Sequence, residues 1–177
     1  MISPKRGIGG EAETRHPCPP VTPRRAQLWL GAAVAALALS GPASAATLTR
    51  PEVSLLREVN RVRATYGVRT LRGDATLQRA ARSHSASMLR TGVFTHGDFA
   101  LRMRRFGVRG SYAGENLAWG VGDNASARAI VAEWLASPPH RANLLRPGFR
   151  RIGLGRLVGA FAGYTDAAVV TADFAGT

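Results

Sequence analysis

Apolar residues recur at intervals of three and four positions in three segments, which predicts three amphipathic helices. Their expected inward-facing positions are, in chain order, Val53, Leu56, Val59, Asn60 and Arg63; Leu77, Ala81, His84 and Met88; and Ala127, Ile130, Val131 and Trp134 or Leu135. Start and stop residues flank each segment, namely Pro51 and Gly67, Asp74 and Gly92, and Asn124 or Ser126 with Pro138 and Pro139. A shorter helix is expected around residues 98–106, and the glycine-rich stretch 107–122 is expected to be a loop.

After residue 148 the pattern changes to strict alternation, which predicts two β-strands. They cover Arg151–Leu157 and Ala168–Phe174. Gly153 and Gly155 share one face of the first strand, where a neighbouring element could approach the backbone closely. Helices followed by strands predict an α+β domain in which helices pack on a small antiparallel sheet.

The first 45 residues have the layout of a secretory signal peptide. Arg24 and Arg25 precede an apolar run over residues 28–39, and Ala-Ser-Ala at residues 43–45 forms a cleavage signal. A membrane anchor is the alternative, but the apolar run is short for a span. The prediction is one domain over residues 46–177, exported to the periplasm or outside the cell, with no membrane span after cleavage.

Removal of this leader would leave a domain with a net charge of +10, whose basic residues are all arginine, and with no cysteine, because Cys18 lies in the leader. Such a domain is held together by packing alone. Its charge favours an anionic envelope component as partner, such as a lipid or a glycan, although a solvated basic surface without a partner is equally consistent. No basic motif interleaved with aromatic residues indicates nucleic acid, and we expect a monomer.

Three short polar motifs contain the residues best suited to chemistry: His96 in Phe-Thr-His, Glu115 in Gly-Glu-Asn, and His140 after Pro-Pro. Imidazoles and a carboxylate in one cleft can bind a divalent metal or transfer protons. Two imidazoles and one carboxylate suit Zn²⁺, but the long spacing and the lack of HExxH or CxxC leave the metal geometry undefined. Because no nucleophile motif is present, hydrolysis would need a metal-bound water with Glu115 as base.

Four motifs occur in order along the chain: Phe-Thr-His at residues 94–96, Gly-Glu-Asn-Leu at 114–117, Trp-x-x-Ser-x-x-His-Arg-x-Asn-Leu-Leu at 134–145, and Ile-Gly-Leu-Gly at 152–155. Together they resemble the bacterial branch of the CAP superfamily, also called SCP-like (cysteine-rich secretory, antigen 5 and pathogenesis-related 1 proteins), over about residues 53–174. The resemblance implies a three-layer α-β-α sandwich. It also implies a central cleft with two histidines and two acidic residues, which binds a divalent cation in some members.

The resemblance places His96, Glu115 and His140 at three of these four cleft positions. The family's second glutamate follows the helix tryptophan by three residues, where this chain has Ser137. Glu133 lies just before the tryptophan and is expected to point elsewhere. The expected cleft set is therefore His96, Glu115, Ser137 and His140, with His96, His140 and Glu115 as candidate ligands of Zn²⁺ and Glu115 as the candidate catalytic residue.

Other polar residues in these motifs are interpreted as structural. We expect His84 to be a core or half-buried residue and Trp134 to be a core residue. Asn116 and Asn143 are expected to tie loops, and Arg141 to pair with a nearby acid or carbonyl. The function most consistent with these features is an exported module that binds an envelope or extracellular ligand through the cleft. The alternatives are a metal-assisted hydrolase of peptide or cell-wall polymer, and a stress or interaction protein with no small-molecule site.

Overall fold

Residues 47–177 are the part of the chain that the computed structural model describes. Their α-helices are α1 (Arg50–Thr65), α2 (Ala75–Thr91), α3 (Phe99–Arg105), α4 (Ala127–Ala136) and α5 (Pro138–Leu144). Their strands are β1 (Arg72–Gly73), β2 (Ala113–Gly120), β3 (Arg151–Phe161) and β4 (Tyr164–Ala175), and a 3₁₀ turn follows β2 at Gly122–Ala125. The predicted signal peptide at residues 1–45 lies outside the described residues.

The four strands of the described domain form one sheet in the order β1-β3-β4-β2. The β3–β4 hairpin is antiparallel, and β2 runs antiparallel to β4 along its whole length. The expected antiparallel sheet is therefore correct for the three long strands, whereas the two-residue β1, which was not predicted, pairs parallel to β3. This order leaves β2 at one edge of the sheet, where loops and helices can reach its outer side.

Helices cover both faces of the sheet, as a three-layer α-β-α sandwich requires. On one face, α1, α4 and α5 bury a core that is centred on Trp134 and includes Ala118, Val170, Ala172 and Phe174 of the sheet. On the other face, α2 and α3 cover the alternate strand residues, among them Leu117, Val169 and Ala175. Successive residues of β2 therefore face different helical layers.

Gly153 and Gly155 allow α2 to lie directly on β3, as their shared face suggested. A Cβ atom on Gly153 would lie 2.0 Å from the carbonyl carbon of Leu77, and one on Gly155 would lie 2.4 Å from that of Ala81. Both are backbone atoms of α2, so a side chain at either glycine would force the helix away from the sheet. The spacing between α2 and β3 is set by these two positions.

The predicted helices are confirmed, but the buried face of α1 differs from the prediction. Leu55, Val59 and Val62 are buried, whereas Val53 and Leu56 are only half-buried. The predicted stripe of α2 is buried at every position: Leu77, Ala81, His84 and Met88. The α1 stripe was chosen from apolar residues that share a broad face, and contact with α4 and β3 selected a different part of that face.

One expectation about loops is wrong. Residues 113–120 were expected to belong to a loop but form β2, because all eight pair with β4. The glycines there permit close packing rather than a turn: a Cβ atom on Gly114 would lie 2.9 Å from Asn143 and Phe149 atoms. The prolines at 138 and 139 do end α4, but they also occupy the first turn of α5, so His140 lies in a helix.

Candidate functional site

Glu115 is at the centre of a hydrogen-bonded group of side chains from three parts of the fold. Its position on β2 directs the carboxylate to the face covered by α2 and α3, where it is buried. Oε1 lies 2.7 Å from Nδ1 of His96, whose side chain is 57% exposed, and Oε2 accepts from Nη2 of Arg102 on α3. Arg102 also donates to the main-chain oxygen of His96 at 3.1 Å. The group therefore connects a buried carboxylate to solvent through one imidazole.

A second carboxylate, Asp173, lies beside Glu115. Asp173 is the β4 residue paired with Glu115 in the antiparallel register, and it is fully buried. Its Oδ1 lies 3.7 Å from Nη2 of Arg102. The sequence interpretation treated Asp173 only as a strand residue, although an acid within the apolar run of residues 168–174 was a usable signal. Arg102 was missed as well, because nothing local in the sequence connects it to Glu115.

The two carboxyl groups share one guanidinium in a buried setting, which favours retention of a proton. Burial raises the pKa of Glu115 to about 7, against the lowering effect of the Arg102 charge. Burial and the Glu115 charge raise the pKa of Asp173 well above its ordinary value. Neither Asp173 oxygen has a hydrogen-bond donor within residues 47–177, and a proton held between the carboxyl groups would supply one.

His84 packs against the inner side of this group and is buried, as predicted. Its Nε2 lies 2.8 Å from the main-chain oxygen of Thr95 and 3.9 Å from Oε2 of Glu115. Burial lowers the pKa of His84 to about 4, and the nearby charge of Arg102 acts in the same direction. His84 is therefore neutral near pH 7. A cavity of about 590 Å³ between α2 and α3 is lined by His84, Asp98 and Arg102.

His140 is tied to the same strand through its main chain. Asn116 of β2 donates from Nδ2 to the main-chain oxygen of His140 at 2.9 Å. Asn143 of α5 donates from Nδ2 to the main-chain oxygen of Glu115 at 3.0 Å and to Oδ1 of Asn116 at 3.1 Å. The two asparagines thus fasten α5 to the outer edge of β2, so they tie a helix to a strand rather than the loops that were expected.

The side chain of His140 is half-buried, and its Nδ1 is buried without a hydrogen-bond partner in the described domain. Burial lowers the pKa of His140, the charge of Glu133 raises it, and the charge of His96 lowers it. Ser137, the residue between α4 and α5, is half-buried. Of the predicted cleft set, His96 and Glu115 are joined directly, whereas His140 is linked to Glu115 through Asn116 and Asn143.

Two further predictions concern residues around the cleft. Trp134 is a core residue, as predicted, and its Nε1 donates to the main-chain oxygen of Leu117 at 2.9 Å. Arg141 lies over the ring of Tyr66, 5.0 Å from its centroid. Its partner is thus an aromatic ring rather than the expected acid or carbonyl.

The carboxylate of Glu115, a candidate metal ligand, already has partners in this structure. Both oxygens of Glu115 are engaged, one by His96 and the other by a guanidinium that a metal would have to displace. Within residues 47–177, no three His, Cys, Asp or Glu side chains are grouped as a metal site requires. Zn²⁺ bound by His96, His140 and Glu115 stays a prediction, which metal analysis of the purified protein would test.

Comparisons of the sequence identify the family. The sequence model described as "CAP: Cysteine-rich secretory protein family" matches residues 56–174. The Bacillus subtilis protein YkwD, described as uncharacterized, is 33% identical over 121 residues, which cover 66% of this chain and 45% of YkwD. This chain thus spans less than half the length of that relative. No helix within residues 47–177 is long and apolar enough to cross a membrane.

Solved structures have the same fold. An extracellular SCP-domain protein from Bacillus anthracis is 26% identical, with a TM-score of 0.60 over 78% of this chain and 45% of that one. An outer surface protein from Borrelia burgdorferi is 24% identical, with a TM-score of 0.57 over 70% of this chain and 90% of that one. The family match covers β3, all but the last residue of β4 and every cleft residue, and the chain belongs to the CAP, or cysteine-rich secretory protein, family.

Proposed function

We propose that this chain is an exported CAP-domain protein that binds a ligand of the cell envelope or extracellular space through the cleft set of His96, Glu115, Ser137 and His140. The observation that carries the proposal is the bond between the exposed imidazole of His96 and the buried carboxylate of Glu115. The leader sequence supports export, as does the similarity to two structural relatives that are an extracellular protein and an outer surface protein.

The cleft offers polar groups that a ligand could use. Bonding of His96 through Nδ1 leaves Nε2 of its exposed ring for a ligand, and the half-buried ring of His140 is a second imidazole of the cleft set. Such groups recognise polar atoms of a lipid head group or a glycan. The arginine-rich surface would add attraction to anionic envelope polymers, and this term weakens as salt screens it.

The test is co-sedimentation of the full-length chain with isolated cell wall and with anionic lipid vesicles. We expect binding to one of these, and weaker binding as salt rises from about 0.05 M to about 0.5 M. His96→Ala and His140→Ala should each weaken it by about fivefold or more. Ser54→Ala, on the exposed face of α1, is the control and should change nothing. Binding that both histidine variants retain in full would contradict the proposed cleft.

A metal-assisted hydrolase of peptide or cell-wall polymer is the second candidate. It is favoured by the Glu115 carboxyl group, whose pKa of about 7 lets it accept or release a proton at neutral pH, and which contacts the exposed ring of His96. The test combines elemental analysis of the purified protein with release of soluble fragments from cell wall. Turnover that Glu115→Gln abolishes, with stoichiometric Zn²⁺, would support the hydrolase. Binding without turnover would support the binding module. Absence of both binding and turnover would favour an interaction protein.

A further inference from the structure

A groove with aromatic walls lies at the far end of β2 from Glu115. Trp119 and Tyr164 line it, with ring centroids 6.0 Å apart and planes at 42°. Phe161 supports Trp119 edge-on at 5.7 Å. Tyr164 is 49% exposed, and the groove has a volume of about 390 Å³. The aromatic groove, as we call it, is also lined by Asn124 and Glu133.

Two tight features of the backbone hold this groove in shape. The β3–β4 hairpin turns at Ala162 and Gly163, which have φ values of 50° and 88°, and the turn places Tyr164 at the start of β4. At the other wall, a Cβ atom on Gly120 would lie 2.5 Å from the main-chain oxygen of Asn124. The 3₁₀ turn after β2 therefore packs directly on the strand, and the groove is formed by the fold itself.

Negative charge is concentrated at this end of a strongly basic domain. Glu133 lines the groove, Asp123 lies in the 3₁₀ turn and Asp166 lies two residues after Tyr164. No ion pair with an arginine within residues 47–177 involves any of these three acids. The other acids of the described domain each contact an arginine or cap a helix: Glu52, Glu58, Asp74, Asp98, Glu115 and Asp173.

Two basic residues that approach this end of the domain, Arg156 and His140, do not line the groove. Arg156 reaches the 3₁₀ turn but donates to the main-chain oxygen of Ala125, at 3.5 Å. His140 is close enough to Glu133 for the carboxylate to raise its pKa, yet it does not line the groove. Glu133, Trp119 and Tyr164 therefore line a groove that no arginine of residues 47–177 lines with them.

We propose that the aromatic groove binds an organic ammonium group, which lies against the faces of Trp119 and Tyr164 and is balanced in charge by Glu133. Aromatic faces carry negative potential and attract ammonium ions, most strongly for tryptophan. Asn124 offers an amide oxygen to an N–H or O–H group of the same ligand. A neutral ligand of the same shape would gain the apolar contact without the electrostatic attraction. This site is separate from the cleft set and stands whether or not that set binds a ligand.

The test titrates the full-length chain with choline and with its neutral isostere 3,3-dimethylbutan-1-ol. Binding is followed by the indole N–H signals in an NMR spectrum, assigned with Trp119→Phe. We expect choline to shift the Trp119 signal and to leave that of the fully buried Trp134 in place. The isostere should bind at least about fivefold more weakly. Cadaverine, a primary diamine, serves as a second cation: a preference for it indicates an amine ligand, and a preference for choline indicates a quaternary head group.

Variants separate the contribution of the Glu133 charge to choline binding from that of the Tyr164 ring. Glu133→Gln should weaken choline binding about fivefold and leave the isostere unaffected, whereas Glu58→Gln, which removes an equal charge from α1, should change neither. Tyr164→Leu should weaken choline binding, and Tyr164→Phe should retain it. Equal affinity for choline and isostere, or choline binding that Glu133→Gln leaves intact, would overturn the proposal. A neutral oligosaccharide that shifts Trp119 where choline does not would overturn it in favour of a sugar platform.

Discussion

Arg63 and Arg102 are both largely buried, but their guanidinium groups contact different kinds of acceptor. Arg63 is fully buried and donates to the main-chain oxygens of Arg69, Leu144, Arg146 and Phe149. Arg102 instead faces two carboxyl groups, and its Nε has no acceptor in the described part of the chain. The first arrangement is a closed clamp between α1 and the segment before β3. The second leaves one cation for two acids, with an exposed imidazole attached.

This difference shows which buried group of the domain can change its protonation state. A buried cation that carbonyl groups surround has one favourable state, because carbonyl oxygens do not titrate near neutral pH. A buried cation between two carboxyl groups has several states, which differ in the position of a proton. The clamp therefore contributes stability, and the Arg102 group can respond to pH or to a ligand at His96.

Replacement of the clamp should have the largest effect. Arg63→Met would leave the carbonyl oxygens without donors in the core, which should lower the free energy of unfolding by about 3–5 kcal/mol. Guanidinium-chloride unfolding followed by circular dichroism measures the loss. Arg57→Met, on the exposed side of α1, is the matched control and should have little effect. A loss below about 1 kcal/mol would show that the clamp is not structural.

Arg102→Met should have a smaller effect that grows with pH. Without the guanidinium, the pKa values of Glu115 and Asp173 would rise further above their unfolded values, so the folded state would bind more protons than the unfolded state. Stability should then fall as pH rises, with a loss of about 1 kcal/mol at pH 5 and about 3 kcal/mol at pH 8. Urea unfolding at both pH values measures the difference, and a loss that does not change with pH would contradict the shared-cation interpretation.

Asp173→Asn should stabilise the protein at neutral pH. This is the smallest of the three expected effects. Because the folded pKa values of Asp173 and Glu115 are raised, the wild-type protein loses stability as pH rises from the unfolded pKa, near 4, towards about 7 and above. Asparagine needs no proton there and can still donate to Glu115. We expect a gain of about 1 kcal/mol at pH 8 that disappears near pH 4.

A thermal-unfolding series from pH 4 to pH 8 for both proteins would measure this gain. The difference between them cancels the opposite trend from His84, whose lowered pKa costs stability as pH falls below about 6.5. His84 is present in both proteins, so its contribution does not enter the comparison. Destabilisation of Asp173→Asn at every pH would indicate that Asp173 acts as a permanent anion beside Arg102.

Local features of the sequence were sufficient for the helices and for the central parts of β3 and β4, although both strands extend beyond the predicted bounds towards their shared turn. The buried face of α2 could be predicted because its apolar positions recur at helical spacing and Asp74 is a good N-cap. The Asp74 side chain accepts two backbone hydrogen bonds. The strand β2 was missed because Gly114 and Gly120 resemble turn residues. Their actual role, close approach by Asn143 and by the 3₁₀ turn, depends on neighbours that are distant in sequence.

The residues of the candidate site could be predicted only where they lie in distinctive sequence motifs. His96 and Glu115 were found because each lies in a distinctive polar motif, and they are in direct contact. Asp173 and Arg102 were not found, because one looks like part of an apolar strand and the other like one of many surface arginines. Their importance follows from the pairing of β4 with β2 and from the packing of α3 on the sheet, neither of which is a local property.

By itself, the order of apolar, glycine and capping residues determined that this chain forms helices on a small sheet, and its motifs determined the family. The tertiary structure alone decided which charges meet. The register of two antiparallel strands set Asp173 beside Glu115, and the fold brought Arg102 to both. The same packing left Glu133 beside Trp119 and Tyr164, where no arginine of the described domain forms an ion pair with it. Electrostatic interactions depend on distance and burial, and both quantities exist only after the chain has folded.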